Sequence, residues 1–454
     1  MKIAEKWYEG SFFDDAPFDA SDGATTSQGP LWHGAPSRWG HSMHAMCSYH
    51  GMFPAKLVHY FIQRYSTPGQ LVADPFSGRG TTTLQARAEN RRSFGNDLNP
   101  LAHVLTAAKS APPSWTSIIR FVGSLERAYK AKSQAEPDIP EDIRMLFHKG
   151  TLRQLVFLRT RLLSKPHTAW AAEEFMLAGA IAGILHGGHR SDGSSSYLSI
   201  SMPNTFSMSP QYVKKFIREN KLVRIDQDVF KCLRDKIARL YLDGEGGPAG
   251  LSSRIDAGKF LSGTTLRPAS VDLLITSPPY LRVVNYGTSN WIRLWWLGLD
   301  DVGRQQGAGR KALDAELDHR HTYTTYCEFM LRIFAGVERV LNRNGVAVFV
   351  IGDVASRSGS SIALAEQVWA DVEGRTSLRL LDLIEDNLPT KNKVSRIWGE
   401  TRGRATERDC VLVLTKKGGE PHIANPDVDW DEPYKDAGPD AAHAWLRRRA
   451  TVED

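Results

Sequence analysis

Cysteine is scarce in this chain. Four occur in 454 residues, Cys47, Cys232, Cys327 and Cys410, and they lie far apart. None forms a CxxC pair, so neither a zinc site nor a disulfide framework is indicated, and a reducing compartment is expected. Long apolar runs are missing too. The longest, Phe175 to Leu185, has 11 residues, against the ~20 that span a bilayer. No transmembrane helix and no membrane partner are expected. The opening MKIAEKWYEGSFFDD is acidic and has no apolar segment, unlike a secretory leader, so a cytoplasmic location is expected. What is present is ordinary globular material, 41% hydrophobic and 24% charged, which excludes a wholly disordered or collagen-like chain. The 57 basic and 51 acidic residues leave a net charge of +6. That mild excess permits a nucleic-acid partner without requiring one.

The excess is local. Residues 111–250 hold 20 Lys and Arg against 14 Asp and Glu, and residues 211–240 hold 9 against 4. A basic helical patch beside a neutral body is the footprint of a polyanion-binding face, or of a solvated helix.

The chain divides by its hydrophobic rhythm. Residues 1–40 read as an irregular arm. Phe53 to Tyr65 carries Leu57, Val58, Phe61 and Ile62 at helical spacing. Leu71 to Phe76 reads as a buried strand entering a glycine turn, Thr81 to Asn90 as a helix, and Ser93 to Leu98 as a second strand. This is a βαβ unit and argues a parallel sheet. Residues 111–250 change character. Ile143 to Leu163 and Trp170 to Leu185 look helical, and a polar loop spans His186 to Pro210. Strands then resume at Val271–Thr276, Val346–Gly352, Leu378–Ile384 and Cys410–Leu414. Helices at about 324–342 and 361–371 separate the first three. One doubly wound α/β domain, residues 41–110 and 251–420, is thus interrupted by a mainly helical insertion, 111–250, and followed by a tail, 421–454.

Two strand ends carry chemistry. Asp74-Pro75-Phe76-Ser77-Gly78-Arg79-Gly80-Thr81-Thr82 joins a strand to a helix. Gly78 and Gly80 let the backbone approach a ligand, and the helix start presents free N–H groups. The loop lacks the GK[ST] ending of a Walker motif, which disfavours ATP. Asp97, ending the next strand, suits a ribose or serves as a helix cap. The second motif is Thr276-Ser277-Pro278-Pro279-Tyr280. Its prolines fix an extended backbone and remove two donors, leaving the Ser277 hydroxyl and the adjacent carbonyls as acceptors beside an aromatic face. A flat group bearing an amine, such as a flipped base, fits that arrangement; an ordinary Pro-Pro turn is the alternative.

Together, DPFSGRGTT and TSPPY strongly resemble the S-adenosylmethionine-dependent amino-methyltransferases of DNA. The resemblance covers residues ~40–110 and ~250–415 and implies a class I, Rossmann-like methyltransferase fold. His50 to Leu57, with Phe53 and Pro54, looks like the family's motif over the methionine end of the cofactor. Asp74, Pro75, Phe76, Gly78, Gly80, Thr81 and Asp97 match its cofactor turn. Arg254 to Gly258 looks like the third strand, with Asp256 near the adenine. Ser277, Pro278, Pro279 and Tyr280 match the catalytic motif. In the family, Ser before Pro-Pro-Tyr usually marks the exocyclic amine of cytosine, and Asp or Asn marks adenine. Carbon-5 methylation needs a cysteine nucleophile after proline; here Met46, Lys231, Tyr326 and Asp409 precede the cysteines. The implied reaction is direct transfer to a flipped base of double-stranded DNA, without a metal, with a cognate restriction endonuclease as a further partner. Adenine or RNA as substrate, and an inactive DNA-binding core, are the rivals.

Weaker features complete the reading. Lys214, Lys215, Arg218 and Lys221 in the insertion, and Arg396 and Arg402 in the basic stretch 391–404, are the candidate DNA contacts. Trp291, Trp295 and Trp296 are expected to pack in the core. Residues 285–287 either line the base pocket or form a turn.

Overall fold

The computed structural model describes residues 32, 39–49, 52–131, 139–203, 209–279, 286–299, 308–317, 322–355, 361–386, 408–428 and 430. After a 3-10 turn at Ser42–Ala45, the chain forms α1 (Ala55–Tyr65), β1 (Leu71–Asp74), α2 (Thr81–Ala88), β2 (Arg92–Asn96) and α3 (Pro100–Ser110). Helices then follow one another: α4 (Trp115–Lys130), α5 (Glu141–Arg144), α6 (Lys149–Leu162), α7 (Ala172–Ile184), α8 (Pro210–Asn220) and α9 (Val229–Leu240). Next come β3 (Leu251–Ser253), α10 (Ala257–Ser262), β4 (Val271–Thr276), α11 (Tyr286–Ser289), α12 (Trp291–Trp296), α13 (Ala308–Leu317) and α14 (Tyr323–Val340). The chain continues through β5 (Leu341–Gly352), the small pair β6 (Val354–Ala355) and β7 (Ser361–Ile362), α15 (Leu364–Val372), β8 (Leu378–Asp386) and β9 (Asp409–Lys416).

Seven strands form one sheet in the order β3-β2-β1-β4-β5-β9-β8. The order reverses between β1 and β4, and both strands end at the same edge. A crevice at such a switch point is where open α/β sheets bind ligands. This is the strand order of a class I, Rossmann-like methyltransferase sheet. The βαβ unit is parallel as expected, β1 against β2, and the sheet as a whole is mixed because β9 runs antiparallel to both β5 and β8. The sequence pattern places helices between the earlier strands but none before β9, and a strand reached without a crossover helix is free to pair antiparallel.

Alternation along β1 sends Val72 and Ala73 to opposite faces. Val72 joins Ile275, Val350 and the apolar stripe of α1 (Leu57, Val58, Phe61, Ile62). Ala73 joins Leu274, Phe349 and the helices α14 and α15. A third core lies among α3, the insertion helices and α12, where Trp291, Trp295 and Trp296 are buried as expected. The helix expected over Ile143 to Leu163 is two helices. His148 starts the second, its Nδ1 accepting the Gly150 N–H at 3.3 Å. The loop expected over His186 to Pro210 is not wholly a surface segment: Leu198, Ile200 and Met202 are buried. The four cysteines are free. Among the described residues no helix is long and apolar enough to cross a membrane.

Candidate active site

β1 delivers Asp74 to the sheet edge, where it is fully buried. Its Oδ1 accepts the Thr276 hydroxyl at 2.6 Å and the Phe76 N–H at 3.1 Å. Its Oδ2 is buried with no hydrogen-bond partner among the described residues. Burial pushes this carboxyl up to about 7, against the stabilising bonds it accepts. The turn beyond needs left-handed backbone at Gly78 (φ +50°) and Gly80 (φ +76°), which glycine adopts without a Cβ penalty. A Cβ on Gly80 would stand 3.0 Å from the Thr106 Cα, and one on Gly78 would face the Tyr49 ring at 3.7 Å. Pro75 and Thr81 are buried beside the turn, and Phe76 is half-buried, its ring 6.0 Å from that of Phe329.

Asp97 follows β2. Its Oδ2 accepts the Gly78 N–H at 2.8 Å and its Oδ1 the Asn99 N–H at 2.9 Å. It therefore braces the glycine turn and also caps the approach to α3. Two donors leave a carboxylate with further lone pairs, so acceptance from a ligand hydroxyl remains available. Burial pushes its carboxyl up to about 6.

Residues outside the quoted motifs complete the edge. Asn96 donates to the Pro75 and Ile255 carbonyls at 3.2 and 3.0 Å and accepts from the Ser253 hydroxyl and the Ile255 N–H. One buried amide thus ties together the turns after β1, β2 and β3. Tyr49 is buried, accepts from Asn99 Nδ2 at 2.7 Å, and stacks on Tyr286 at 6.0 Å and 24°. Its only sequence signal was its place one residue before the His50 motif. Arg293, buried between the tryptophans of α12, donates to the Asn290 side chain at 2.9 Å, the Ala182 carbonyl at 3.2 Å and the Ser48 hydroxyl at 3.4 Å.

β4 places the second motif beside the first. Thr276 holds Asp74, and the Thr82 hydroxyl donates to the Ile275 carbonyl at 3.3 Å. The half-buried Ser277 donates its hydroxyl proton to the Val350 carbonyl at 2.9 Å. Pro278 is buried and Pro279 half-buried; Tyr280, and Asn285 of the adjoining stretch, lie outside the described residues. Phe53 and Pro54 are half-buried ahead of α1, and Pro54 is its N-cap residue; His50 and Gly51 lie outside the described residues. The strand expected over Arg254 to Gly258 is corrected to β3, ending at Ser253. Asp256 caps α10 instead, accepting the Lys259 N–H at 3.1 Å. The Asp turns the chain into a helix, which is why the five-residue stretch does not pair. Asp353, just beyond β5, is bound by Arg408 at 3.1 Å, and the same guanidinium reaches Glu366 and Glu385, each at 2.6 Å.

In the insertion, Lys214, Lys215 and Arg218 are exposed on α8, and Lys221 is exposed at its C-cap with φ +49°. Lys215 lies 3.7 Å from Glu219. Arg396 and Arg402 lie outside the described residues. Among the described residues no cluster of three or more His, Cys, Asp or Glu could hold a metal ion.

Residues 19–108 match the N6_N4_Mtase family, described as DNA methylase. The chain is similar to the type II methyltransferase M.MjaII of Methanocaldococcus jannaschii, 34% identical over 67 residues, or 15% of this chain and 13% of that one. M.BsoBI of Geobacillus stearothermophilus is 31% identical over 97 residues, covering 21% and 18% of the two chains. M.XycI of Xanthomonas campestris pv. cyanopsidis is 36% identical over 72 residues, covering 16% and 24%. The chain spans between 13% and 24% of the length of these curated relatives. Among solved structures, geranyl diphosphate C-methyltransferase of Streptomyces coelicolor aligns with 79% of both chains at 9% identity and a TM-score of 0.28. The family match and the type II relatives support a place in the DNA amino-methyltransferase family.

Proposed function

We propose that the chain methylates the exocyclic N4 amine of cytosine in double-stranded DNA, with S-adenosylmethionine as the methyl donor. The observation that carries the reading is the joining of the two motifs. The Thr276 hydroxyl binds Asp74 at 2.6 Å, one residue before Ser277, so a cofactor held at the first motif lies against acceptors of the second.

The residues fit the cofactor. Gly78 and Gly80 clear backbone space, and the buried Asp74 Oδ2 is an acceptor without a hydrogen-bond partner among the described residues. Asp74 would meet the ammonium group and Asp97 the ribose hydroxyls. Phe53 and Pro54 would flank the methionine end, with Asp256 toward the adenine. Pro75, Phe76 and Thr81 shape the turn. When bound, the cofactor supplies an electrophilic methyl on a sulfonium.

The amine of cytosine is a weak nucleophile because its lone pair is delocalised into the ring. The Ser277 hydroxyl donates a hydrogen bond to the Val350 carbonyl at 2.9 Å, so toward a substrate amine its Oγ would act as an acceptor. Accepting one amine proton there, and the other at the Pro278 carbonyl, draws the nitrogen toward tetrahedral geometry. The nitrogen lone pair so exposed would accept the methyl group that the bound cofactor supplies, and the surplus amine proton would pass to solvent. Positioning and preorganised electrostatics supply the rate enhancement. Tyr280 stacks on the base. Lys214, Lys215, Arg218 and Lys221, with Arg396 and Arg402, engage the phosphates, and the insertion reads the target.

Nucleoside mass spectrometry of DNA from cells expressing the protein tests this reading. N4-methylcytosine is expected, and its loss in Ser277→Ala. Methyladenine alone would overturn the base assignment, and no methylated nucleoside at all would overturn the activity.

A further inference from the structure

A cavity lies in the helical insertion, away from the strand ends. It has a volume of about 560 Å³ and opens between the start of α6 and the segment that follows the basic helix α8. One wall is cationic: Arg144, Lys149, Arg153 and Arg224. The floor and rim are apolar: Phe147 and Leu152 are buried, while Val223 is 74% exposed. The walls are fixed to one another. The Gln227 N–H donates to the Thr151 hydroxyl at 2.8 Å, and Arg224 reaches the Arg144 carbonyl at 3.4 Å. The start of α6 already has a carboxylate beside it, Asp226, whose Oδ1 lies 2.8 Å from His148 Nδ1. The attraction for an anion therefore comes from the side chains.

A phosphate alone needs no apolar floor, and an apolar ligand needs no four cations. An occupant with both characters, of a size suited to a cavity in the ~300–1,000 Å³ range of ligand sites, is a nucleotide. Leu222 and Val223, which line the cavity, follow directly on Lys221 of the basic patch. We infer that the cavity holds a nucleotide of the bound DNA strand, phosphate on the cationic wall and sugar and base on the floor. This inference rests on the proposed function and adds a site distinct from the one that takes the target base.

The test uses the full chain and a duplex that it methylates, with binding followed by fluorescence anisotropy over a range of salt concentrations. Lys149→Ala with Arg153→Ala should lower the slope of log affinity against log salt by about two, with cofactor affinity unchanged. Val223→Ser, at an exposed position where the fold survives, should weaken DNA binding several-fold without changing the slope. Unchanged affinity and slope in both variants would defeat the inference. So would a silent Val223→Ser beside an active charge variant, which would mark a simple phosphate patch. Tight calorimetric binding of free dCMP, with DNA affinity untouched by the variants, would instead assign the cavity to a free nucleotide and overturn the inference. Failure of the wild-type chain to methylate any DNA would remove the proposed function and this inference with it. Methylation with unaffected variants would remove this inference alone.

Discussion

Replacing Thr276 with Val keeps the side-chain shape and removes one proton donor. In the native protein that donor binds Asp74 Oδ1 at 2.6 Å in a fully buried setting. Burial already pushes Asp74 up to about 7, and the Thr276 bond is the largest effect holding it down. A hydrogen bond to a charged group contributes about 1.5–3 kcal/mol, and one pKa unit is about 1.36 kcal/mol. Losing the bond should therefore raise the Asp74 carboxyl by roughly one to two units. If ionised Asp74 holds the cofactor's ammonium, wild-type affinity should climb as pH rises toward about 7 and fall again as the ammonium loses its own proton, at about 8 for an α-amino group. In Thr276→Val the same climb should lie roughly one to two units higher, running into the falling limb, with affinity at neutral pH down roughly tenfold. The stability effect has the opposite sense. The native carboxyl sits above its unfolded value of about 3.9, so the native state binds the proton more tightly. The stabilisation is fully present at low pH and is lost as pH rises through about 7. Isothermal titration calorimetry with S-adenosylmethionine across pH gives both curves. Coincident midpoints for wild type and Thr276→Val would refute the pairing of Asp74 with the ammonium.

Three further outcomes are expected. Ser277→Ala should slow single-turnover methylation by up to roughly 100-fold, the low end for a preorganised contact, while cofactor and DNA affinities hold; near-native turnover would make the motif a structural turn. Gly80→Ala places a Cβ in left-handed backbone, 3.0 Å from Thr106 Cα, and should cost about 1–3 kcal/mol, read as a lower Tm together with weaker cofactor binding. Changing Lys214, Lys215, Arg218 and Lys221 to Gln should lower the salt slope of DNA binding by about four; an unaltered slope would turn α8 toward solvent.

The sheet was legible because its strands are apolar runs ended by recognisable turns. Val271–Thr276 was bounded to the residue. The direction of β9 was not legible in its own residues, since the strand is buried on both faces and its apolar run reads the same in either direction. In the site, Asp74, Gly78 and Asp97 stand out because glycines and an acid at strand ends have few local explanations. Asn96 and Tyr49 did not. Their importance lies in bonds to Pro75, Ile255 and Asn99, partners brought together only by pairing of the strands. The break between α5 and α6 was hidden because apolar residues continue through it, and only the His148 cap reveals the stop.

The glycine turn is also held from behind by buried cations, and this gives a last prediction. Arg79 donates to the His44 carbonyl at 3.1 Å, Lys109 to the Arg79 carbonyl at 2.6 Å, and Lys236 to the Ala45 carbonyl at 2.7 Å. Arg87 reaches the Lys109 and Pro248 carbonyls at 2.5 and 2.6 Å. Each of these bonds ends on the main chain, so the 3-10 turn, α3 and the insertion's α9 are drawn onto residues 79–80. Lys109 is fully buried, and burial, with Arg79 nearby, holds its ammonium well below the usual lysine range. Lys109→Met fills a similar volume and has two opposed effects. It removes the cost of burying an amine, and it leaves the Arg79 carbonyl without that donor, a loss of about 1–3 kcal/mol. The two offset in global stability, so Tm should move little. They do not offset locally, because the lost bond lies one residue from Gly80. Cofactor affinity should fall, and amide exchange in the turn should quicken while exchange in β4 and β5 stays slow. An unchanged dissociation constant with an unchanged exchange pattern would show that the turn keeps its shape without the lysine.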